Sequence, residues 1–531
     1  MSQARLASCI SVPLENKALT SVIEKAKDWA LMHGVGMRDR NNFTKDALQI
    51  APFVLLPSPF PRAEFYKALE LQTVLNELMH KVAHDVDFLS ETLQNALEVD
   101  EFTANLYNIW TTVREEGIAQ PISLGMLRSD IMLESRCDEE NQNGQQAPFC
   151  CWKQVEFNSI ASGFGHLGPV SREIQSLGLF RSDYLLQATE ANSIKQVEFN
   201  TIATSFGAIS SDLAKFYILR QLGHGDLTKH MPENKALSGL CSGITEAYDL
   251  FGAADAVVLF VVEEVSYNIC DQRFHEFEIA DKRPEIQIYR KTLSEIYEET
   301  EINEKQQLIL EGKPVAVVYY RSGYEPAQYP SSREWDARLR VERSTAIKCP
   351  SIQYQLAGTK KVQQALAVPG ALERVLSSAA TERVRDIFTG LYSLDFDESG
   401  ERAVEMALRD ADRFVLKPQR EGGGNNMYGS DVRTALTRMR NSRERAAYIL
   451  MERINPPLVS GYVVRPTAPV PPPLVDLVSE LGIFGVVIGT KDKIYCNKQV
   501  GHMLRTKLAD ADEGGVAAGL GALDSPFLVD L

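Results

Sequence analysis

The chain has 531 residues, which at roughly one domain per 150 residues gives three or four compact units and a core that needs no staples. Apolar residues make up 44% and charged residues 24%, the balance of a globular protein. Lys and Arg number 56 against 71 Asp and Glu, and the net charge of −15 excludes a broad nucleic-acid or anionic-lipid surface while leaving room for a local basic pocket.

Residues 1–122 read as the N-terminal helical part of a main body. Apolar spacing predicts helices over 18–32 and 65–97. Between them, residues 52–61 predict a short strand that runs into a proline-stiffened turn. His80 and His84 lie four apart on one helix face, but Lys81 follows His80 and no third ligand is evident. Surface histidines are therefore expected there rather than a metal site. Residues 1–13 hold one arginine and no long apolar run, unlike a secretory signal, and no stretch approaches the roughly 20 apolar residues of a membrane span. The last residues, 526–531, match no lipidation or retention signal. Eight scattered cysteines fit free thiols, a reducing compartment and a cytoplasmic location in the cytosol.

Residues 123–215 contain a duplication. Ser123 to Asp130 (SLGMLRSD) recurs as Ser176 to Asp183 (SLGLFRSD), and Lys153 to Gly165 (KQVEFNSIASGFG) recurs as Lys195 to Gly207 (KQVEFNTIATSFG). The second pair is identical at ten of thirteen positions, and two copies are too few for a solenoid. The copies divide this part of the chain into 123–175, expected to be extra, and 176–256, the second copy with its connection. In residues 257–358, the β-branched runs 256–262 and 314–320 suit buried parallel strands with helices between them. From 359 to 531 strands and helices alternate again, and the proline-rich stretch 466–473 interrupts them as a stiff surface loop.

Residues 413–426 (RFVLKPQREGGGNN) carry the strongest local signal: a short apolar strand, Lys417, then Glu421 beside Gly422, Gly423 and Gly424. Glycines let backbone amides approach phosphate, lysine adds a point charge, and a glutamate suits the Mg²⁺ that accompanies a nucleoside triphosphate. A flexible turn is the other reading. Glu198 and Asn200 stand two apart, as Glu156 and Asn158 do in the first copy. On a strand each pair would project from one face, as two oxygens for Mg²⁺ or as an exposed polar edge. The GxGxxG at 163–168 lacks the acidic residue a dinucleotide fold requires, and the second copy keeps only its middle glycine. Near the C-terminus, Arg505 and Lys507 precede the glycine-rich stretch 513–519, a possible lid over an anionic ligand.

Taken together, these motifs resemble eukaryotic-type glutathione synthetase, an ATP-grasp ligase family. The resemblance rests on LLPSPFPR (55–62), RSDYLLQ with KQVEFNTIATSFG (181–207) and NICDQR (268–273). It continues through QLAGTKKVQQ (355–364), FVLKPQREGGGNN, ILMERI (449–454), SELGIFGV, and GHMLRTK with EGGVAAG, all in one order. It implies an α/β ATP-grasp fold with an inserted parallel α/β substrate-binding domain (257–358) and a glycine-rich lid within the ATP-grasp region (359–531).

The resemblance also implies ATP- and Mg²⁺-dependent ligation of glycine to γ-glutamylcysteine through an acyl phosphate, in a homodimer. Lys360, Lys417, Gly422, Gly423, Gly424, Asn426, Tyr428, Met451, Glu452, Ile454, Glu480, Lys507 and Glu513 would line the nucleotide site. Glu198, Asn200 and Glu421 would hold Mg²⁺. Arg181, Ser205, Asn268, Gln272, Arg321, Tyr324, Arg505, Val516 and Ala517 would bind γ-glutamylcysteine, glycine or product, with Arg181, Lys417 and Arg505 in catalytic positions. Glu513 stands where the family usually has aspartate, and Ala203 where it often has serine.

The family carries one copy of the repeated segment. The second copy is expected in the site, because it keeps Tyr184 and Ser205 where the first has Ile131 and Gly163, and because it runs directly into the substrate region. Glu156 and Asn158 beside Glu421 would refute that assignment. The alternative to an active ligase is an inactive duplicated isoform that dimerises with, and modulates, an active synthetase.

Overall fold

The computed structural model describes residues 4–135, 148–175, 181–187, 193–200, 218–421, 424–512 and 521–531, with backbone alone for 181–187, 193–200 and 220. The N-terminal part is helical, as its apolar spacing requires, in Asn16–Met32, Arg62–His84, Val86–Leu97 and Glu101–Glu116. The helix expected over 65–97 is two helices. Asp85 divides them, its carboxylate accepting the Phe88 amide at 3.0 Å and so capping the second. None of the described helices is long and apolar enough to cross a membrane.

An eight-stranded sheet forms the centre. Along its main path run Val463–Val464, Phe53–Val54, Gly521–Asp524, Lys493–Leu508, Val475–Thr490, Ser123–Glu134 and Cys151–Asn158, and Val459–Gly461 pairs with Val475–Thr490 off that path. The strand Val475–Thr490 shows why the sheet is buried on both faces. Leu481, Ile483 and Val487 join one cluster with Leu71 and Leu75 of Arg62–His84. Phe484, Val486 and Ile488 join another with Leu240 and Ile244 of the helix Ala236–Phe251. Side chains alternate along a strand, so burial on both faces demands an unbroken apolar run. Gly125 sits where the sheet meets Tyr354 and Val487, and a Cβ there would lie 2.8 and 2.9 Å from them.

In residues 257–358 the apolar runs do pair in parallel. Val257–Val261 lies between Gln287–Lys291 and Lys313–Tyr320, and Ile347–Cys349 adds to the latter. Two short antiparallel strands, Thr300–Ile302 and Leu308–Leu310, extend that sheet. A third sheet is antiparallel, in the order Leu391–Ser393, Tyr448–Glu452, Phe414–Pro418, Met427–Tyr428. The helices Glu398–Arg409 and Ser430–Met439 pack on it through Val404, Leu436 and Met439.

The duplication resolves against expectation. The first copy supplies the strands Ser123–Glu134 and Cys151–Asn158 of the central sheet, with residues 123–131 paired to 481–489. Among the described residues the second copy's strands, Arg181–Gln187 and Ser193–Asn200, pair with each other and with no strand of the central sheet. The described residues on either side of that copy are neighbours, for the Leu219 amide donates to the Gln175 carbonyl at 3.4 Å.

Two smaller expectations are corrected as well. His80 is buried, not on the surface: its ring nitrogens face the Tyr354 hydroxyl and, at 2.8 Å, the Thr490 carbonyl. Burial and the neighbouring His84 lower its pKa to about 4, so a neutral ring pins the helix to the sheet. Cys150 is disulfide-bonded, whereas Cys9, Cys151, Cys241, Cys270, Cys349 and Cys496 are free thiols as expected.

Asp524 ends the strand that follows the glycine-rich stretch. It accepts the Ser58 and Thr506 hydroxyls at 2.5 and 2.6 Å and the Ser525 amide at 2.7 Å. Burial pushes its pKa up to about 6, although these donors and Gln175 favour the charged form. A folded-state pKa above the unfolded value means the folded protein holds the proton more tightly, so stability falls as pH rises from about 4 to about 6. Two pKa units correspond to about 3 kcal/mol. Urea melts of the protein and of Asp524→Asn are expected to diverge by roughly that amount over this window, the protein losing stability relative to the variant. A constant difference between them would assign the pH dependence elsewhere.

Candidate active site

The site lies where the first-copy hairpin, the central sheet and the four-stranded sheet meet. Arg128 and Asp130 stand two apart on Ser123–Glu134, so both project from one face. They form a two-pronged pair, Nε to Oδ1 and Nη2 to Oδ2, each 2.7 Å. Gly482 on the next strand makes the space, since a Cβ there would come within 2.8 Å of Asp130 Oδ1 and 2.9 Å of Arg128 Cδ. Asn158, opposite Arg128 in the hairpin, donates its amide nitrogen to Asp130 at 3.0 Å, which turns its amide oxygen away from that pair.

Glu156 sits at the centre of the charge. Lys360 Nζ is 3.5 Å from its carboxylate and Arg505 Nη2 is 3.7 Å away. Burial would raise its pKa, but Lys360, Lys417 and Arg505 outweigh that and hold it well below the ordinary carboxylate range. Lys360 also contacts Glu421 at 2.8 Å, so one ammonium is shared by two carboxylates contributed from opposite sides of the site. Arg505 bonds Glu480, its partner across the strand pair Val475–Thr490 and Lys493–Leu508, with Nε to Oε1 at 2.9 Å. It lies 3.4 Å from Asp130 as well. Lys417, 4% exposed, donates to the Val155 carbonyl at 2.8 Å, and burial lowers its pKa despite Glu156. Four cations and four carboxylates thus share one largely buried volume.

A second cluster adjoins the first through Gly163, whose carbonyl accepts from Arg128 Nη1 at 3.0 Å. The buried Asp271 carboxylate accepts the Phe164, His166 and Leu167 amides at 3.0, 3.1 and 3.3 Å, and Arg321 Nη2 at 2.9 Å. The amides that a GxGxxG turn would offer to phosphate are therefore committed to a carboxylate of the chain. Gln272 donates to Asn268 at 2.8 Å and accepts from Arg290 at 2.8 Å. The Tyr324 amide donates to Gln328 at 2.9 Å, and burial takes its phenol up to about 12.

Several of the expected nucleotide residues meet along one edge. Tyr428 and Met451 are both register partners of Val415 in the four-stranded sheet, and Glu452 is the partner of Phe414. Met451 and Ile454 pack with Met132 and Val478 into a small apolar cluster. Glu452 accepts from Arg413 at 2.6 Å and from Tyr392 at 3.2 Å. Lys507 donates to the Asp512 carbonyl at 2.6 Å.

A model of the eukaryotic glutathione synthase ATP-binding domain matches residues 16–176 and again 170–528. The chain belongs to the eukaryotic glutathione synthase family. It is 38% identical to the glutathione synthetase of Xenopus laevis over 518 residues, covering 97% of this chain and 98% of the relative. It is 39% identical to that of Homo sapiens over 522 residues, covering 97% and 98%. The chloroplastic glutathione synthetase of Arabidopsis thaliana is 36% identical over 527 residues, covering 97% of this chain and 86% of the relative. Among solved structures, a glutathione synthetase-like effector from Globodera pallida in apo form superposes with a TM-score of 0.70 at 23% identity, covering 97% and 98%. That likeness speaks for the fold alone.

Glutathione synthase motifs thus brought Lys360, Lys417, Glu421, Glu480 and Arg505 together. The side chains of the expected companions Arg181, Glu198 and Asn200 lie outside the described residues, and their strands pair with each other; among the described side chains Arg128, Glu156 and Asn158 of the first copy join this cluster. Gly422, Gly423, Ser205, Glu513, Val516 and Ala517 lie outside the described residues. Asp130, Asp271 and Met132 were not anticipated. Asp130 was legible as the acid two places after an arginine in a strand, whereas no local signal marks the other two.

Proposed function

We propose that this chain joins glycine to γ-glutamylcysteine with ATP and Mg²⁺, giving glutathione, ADP and phosphate. The observation that carries it is the intact charge cluster of Lys360, Lys417 and Arg505 around Glu156, Glu421 and Glu480, in a chain that matches the family over nearly its whole length. An inactive isoform would be expected to have lost part of that cluster.

The donor set fits a divalent cation. Glu156 and Glu421 already share one positive charge, the Lys360 ammonium, and Asn158 adds an amide oxygen. Among the described residues no three His, Cys, Asp or Glu side chains gather as a metal site. Few protein oxygens, completed by phosphate and water, are what Mg²⁺ prefers. When bound, Mg²⁺ neutralises phosphate charge; Glu156, Asn158 and Glu421 would hold it.

A carboxylate is a poor electrophile, so the cysteinyl carboxylate first takes the γ-phosphoryl group, and the glycine amine then displaces phosphate from the acyl phosphate. Such transfer between anions depends on positioning and charge stabilisation more than on a protein nucleophile. Lys360 and Lys417 face the phosphates, while Arg128 and Arg505 face the reacting carboxylate. Arg321, with Asn268, Gln272 and Tyr324, forms the γ-glutamylcysteine side. The apolar cluster of Met132, Met451, Ile454 and Val478 offers a wall for the adenine ring. Homodimer formation and residence in the cytosol belong to the same proposal and rest on family membership.

The test is phosphate release by the purified chain with ATP, Mg²⁺, γ-glutamylcysteine and glycine. Turnover is expected to require glycine and to fall at least 100-fold in Glu421→Gln, with product mass confirming glutathione. Phosphate release that ignores both glycine and Glu421 would sink the reading.

A further inference from the structure

Lys360 and Lys361 are consecutive in the first turn of the helix Lys360–Leu366, and both are buried. Neighbours in an α-helix point about 100° apart, so the two ammonium groups enter different surroundings. Lys360 reaches the charge cluster, between Glu421 and Glu156. Lys361 instead donates to Asp395 Oδ2 at 2.6 Å and to Ser393 Oγ at 2.9 Å. Its backbone amide donates to Gln419 Oε1 at 2.9 Å. Ser393 ends the strand Leu391–Ser393, and Gln419 stands between Lys417 and Glu421 in the chain. All three partners of Lys361 therefore come from the four-stranded sheet and its loops.

Asp395 is itself held from two sides. Its amide donates to Ser393 Oγ at 3.1 Å, and the Ser393 hydroxyl donates to Oδ2 at 2.7 Å. With Lys361 added, that hydroxyl uses its one donor and both acceptor positions. The Asp395 carbonyl accepts from the fully buried Arg445 at 3.1 Å. Gly400 leaves room for this turn, since a Cβ there would collide with the Asp395 carbonyl oxygen.

The helix that carries both lysines belongs to the body. Its Val362 and Leu366 join the main apolar cluster with Leu89 and Leu93, whereas the four-stranded sheet keeps an apolar cluster of its own. Apolar burial is non-directional, while hydrogen bonds to a side chain fix angle as well as distance. A buried ion pair adds little stability over an apolar pair of equal volume. Placement accounts for the Lys361–Asp395 pair better than stability does.

We propose that Asp395 is a positioning residue for the ligation: acting through Lys361, it fixes the first helical turn and so holds Lys360 between Glu156 and Glu421. This rests on the ligase reading for its kinetic half only. The bonds of Asp395 run to Lys361, Ser393 and Arg445, so its effect on the phosphates is indirect. Turning the helix by a fraction of its pitch would move the Lys360 ammonium off the line between the two carboxylates, and a misplacement of about 1 Å costs roughly 10²-fold in rate.

The experiment uses the full chain carrying Lys361→Met with Asp395→Asn, which removes the pair without leaving either charge alone in the interior. The kcat for glycine-dependent phosphate release is expected to fall by about 10²-fold, with KM for glycine unchanged and the thermal midpoint close to that of the unaltered chain. Asp395→Glu, which keeps the charge on a longer arm, is expected to retain more of the rate than Asp395→Asn. A kcat within about twofold of the unaltered chain overturns the proposal, and so does a loss of rate that only follows a loss of folded protein. Where the double variant does not fold, Asp395→Asn alone, which keeps the shape and an acceptor, is read by the same criteria.

A second arm reads placement without turnover. Brief acetylation of lysines, mapped by fragment-ion mass spectrometry, is expected to modify Lys360 about fivefold faster in the double variant and Lys417 at an unchanged rate, the pattern of a local release. Equal acceleration at both lysines, or none at Lys360, overturns the proposal. If the unaltered chain shows no glycine-dependent turnover, the ligase reading fails, and the acetylation pattern decides the placement by itself.

Discussion

Replacing Asp271 by alanine is expected to destabilise the protein by about 3–5 kcal/mol, the range for removing one partner of a buried ion pair. The carboxylate is 1% exposed and faces an Arg321 side chain buried to a similar degree. Burial opposes its charge, yet Arg321 and the donated hydrogen bonds keep it well below the usual carboxylate range. Without it, a guanidinium and three backbone amides lose their acceptor together, and unsatisfied buried donors are costly one by one. Denaturant unfolding of Asp271→Ala and Asp271→Asn checks this: the asparagine variant restores an acceptor but not the charge, and is expected to fall between. Losses below about 1 kcal/mol in both would show that the loop at 163–167 is held by other contacts.

Lys417→Met is expected to lower kcat by about 10³- to 10⁴-fold, some 4–5 kcal/mol of transition-state stabilisation, while the folded chain survives. Its ammonium makes one bond to a main-chain carbonyl and otherwise faces the shared acidic cluster, so its loss removes field rather than framework. Burial lowers its pKa although Glu156, Glu480 and Glu421 favour the charged form, so an added negative charge nearby would stabilise the ammonium further. Steady-state kinetics with ATP varied, beside a thermal melt, separates the two contributions. A change in KM for ATP with kcat intact would assign Lys417 to ground-state binding alone.

Much of this arrangement was legible along the chain. The apolar runs at 256–262 and 314–320 announced parallel strands, and the structure pairs Val257–Val261 with Lys313–Tyr320 in parallel. The helix over 65–97 was right in kind and wrong at Asp85, where a side-chain cap interrupts a pattern that apolar spacing alone carries straight through. The phosphate-side residues were readable because Lys417 and Glu421 lie on one short segment. Asp271 was not, since its acceptor role depends on amides more than a hundred positions earlier.

The choice between the copies could not be read from the motif, which both possess. Tyr184 and Ser205 look more like the family and favour the second copy, whereas the strand in the sheet buries Leu127 and Ile131 of the first. His80 misled for a related reason. A helix face reads as exposed until Tyr354 and the Thr490 carbonyl are brought against it.

The contact between Gln175 and Leu219 has a bearing on how such a chain changes over generations. Because Gln175 and Leu219 already meet, a chain that ran from one to the other without the second copy would need no long new connection, and a deletion between them is a short step.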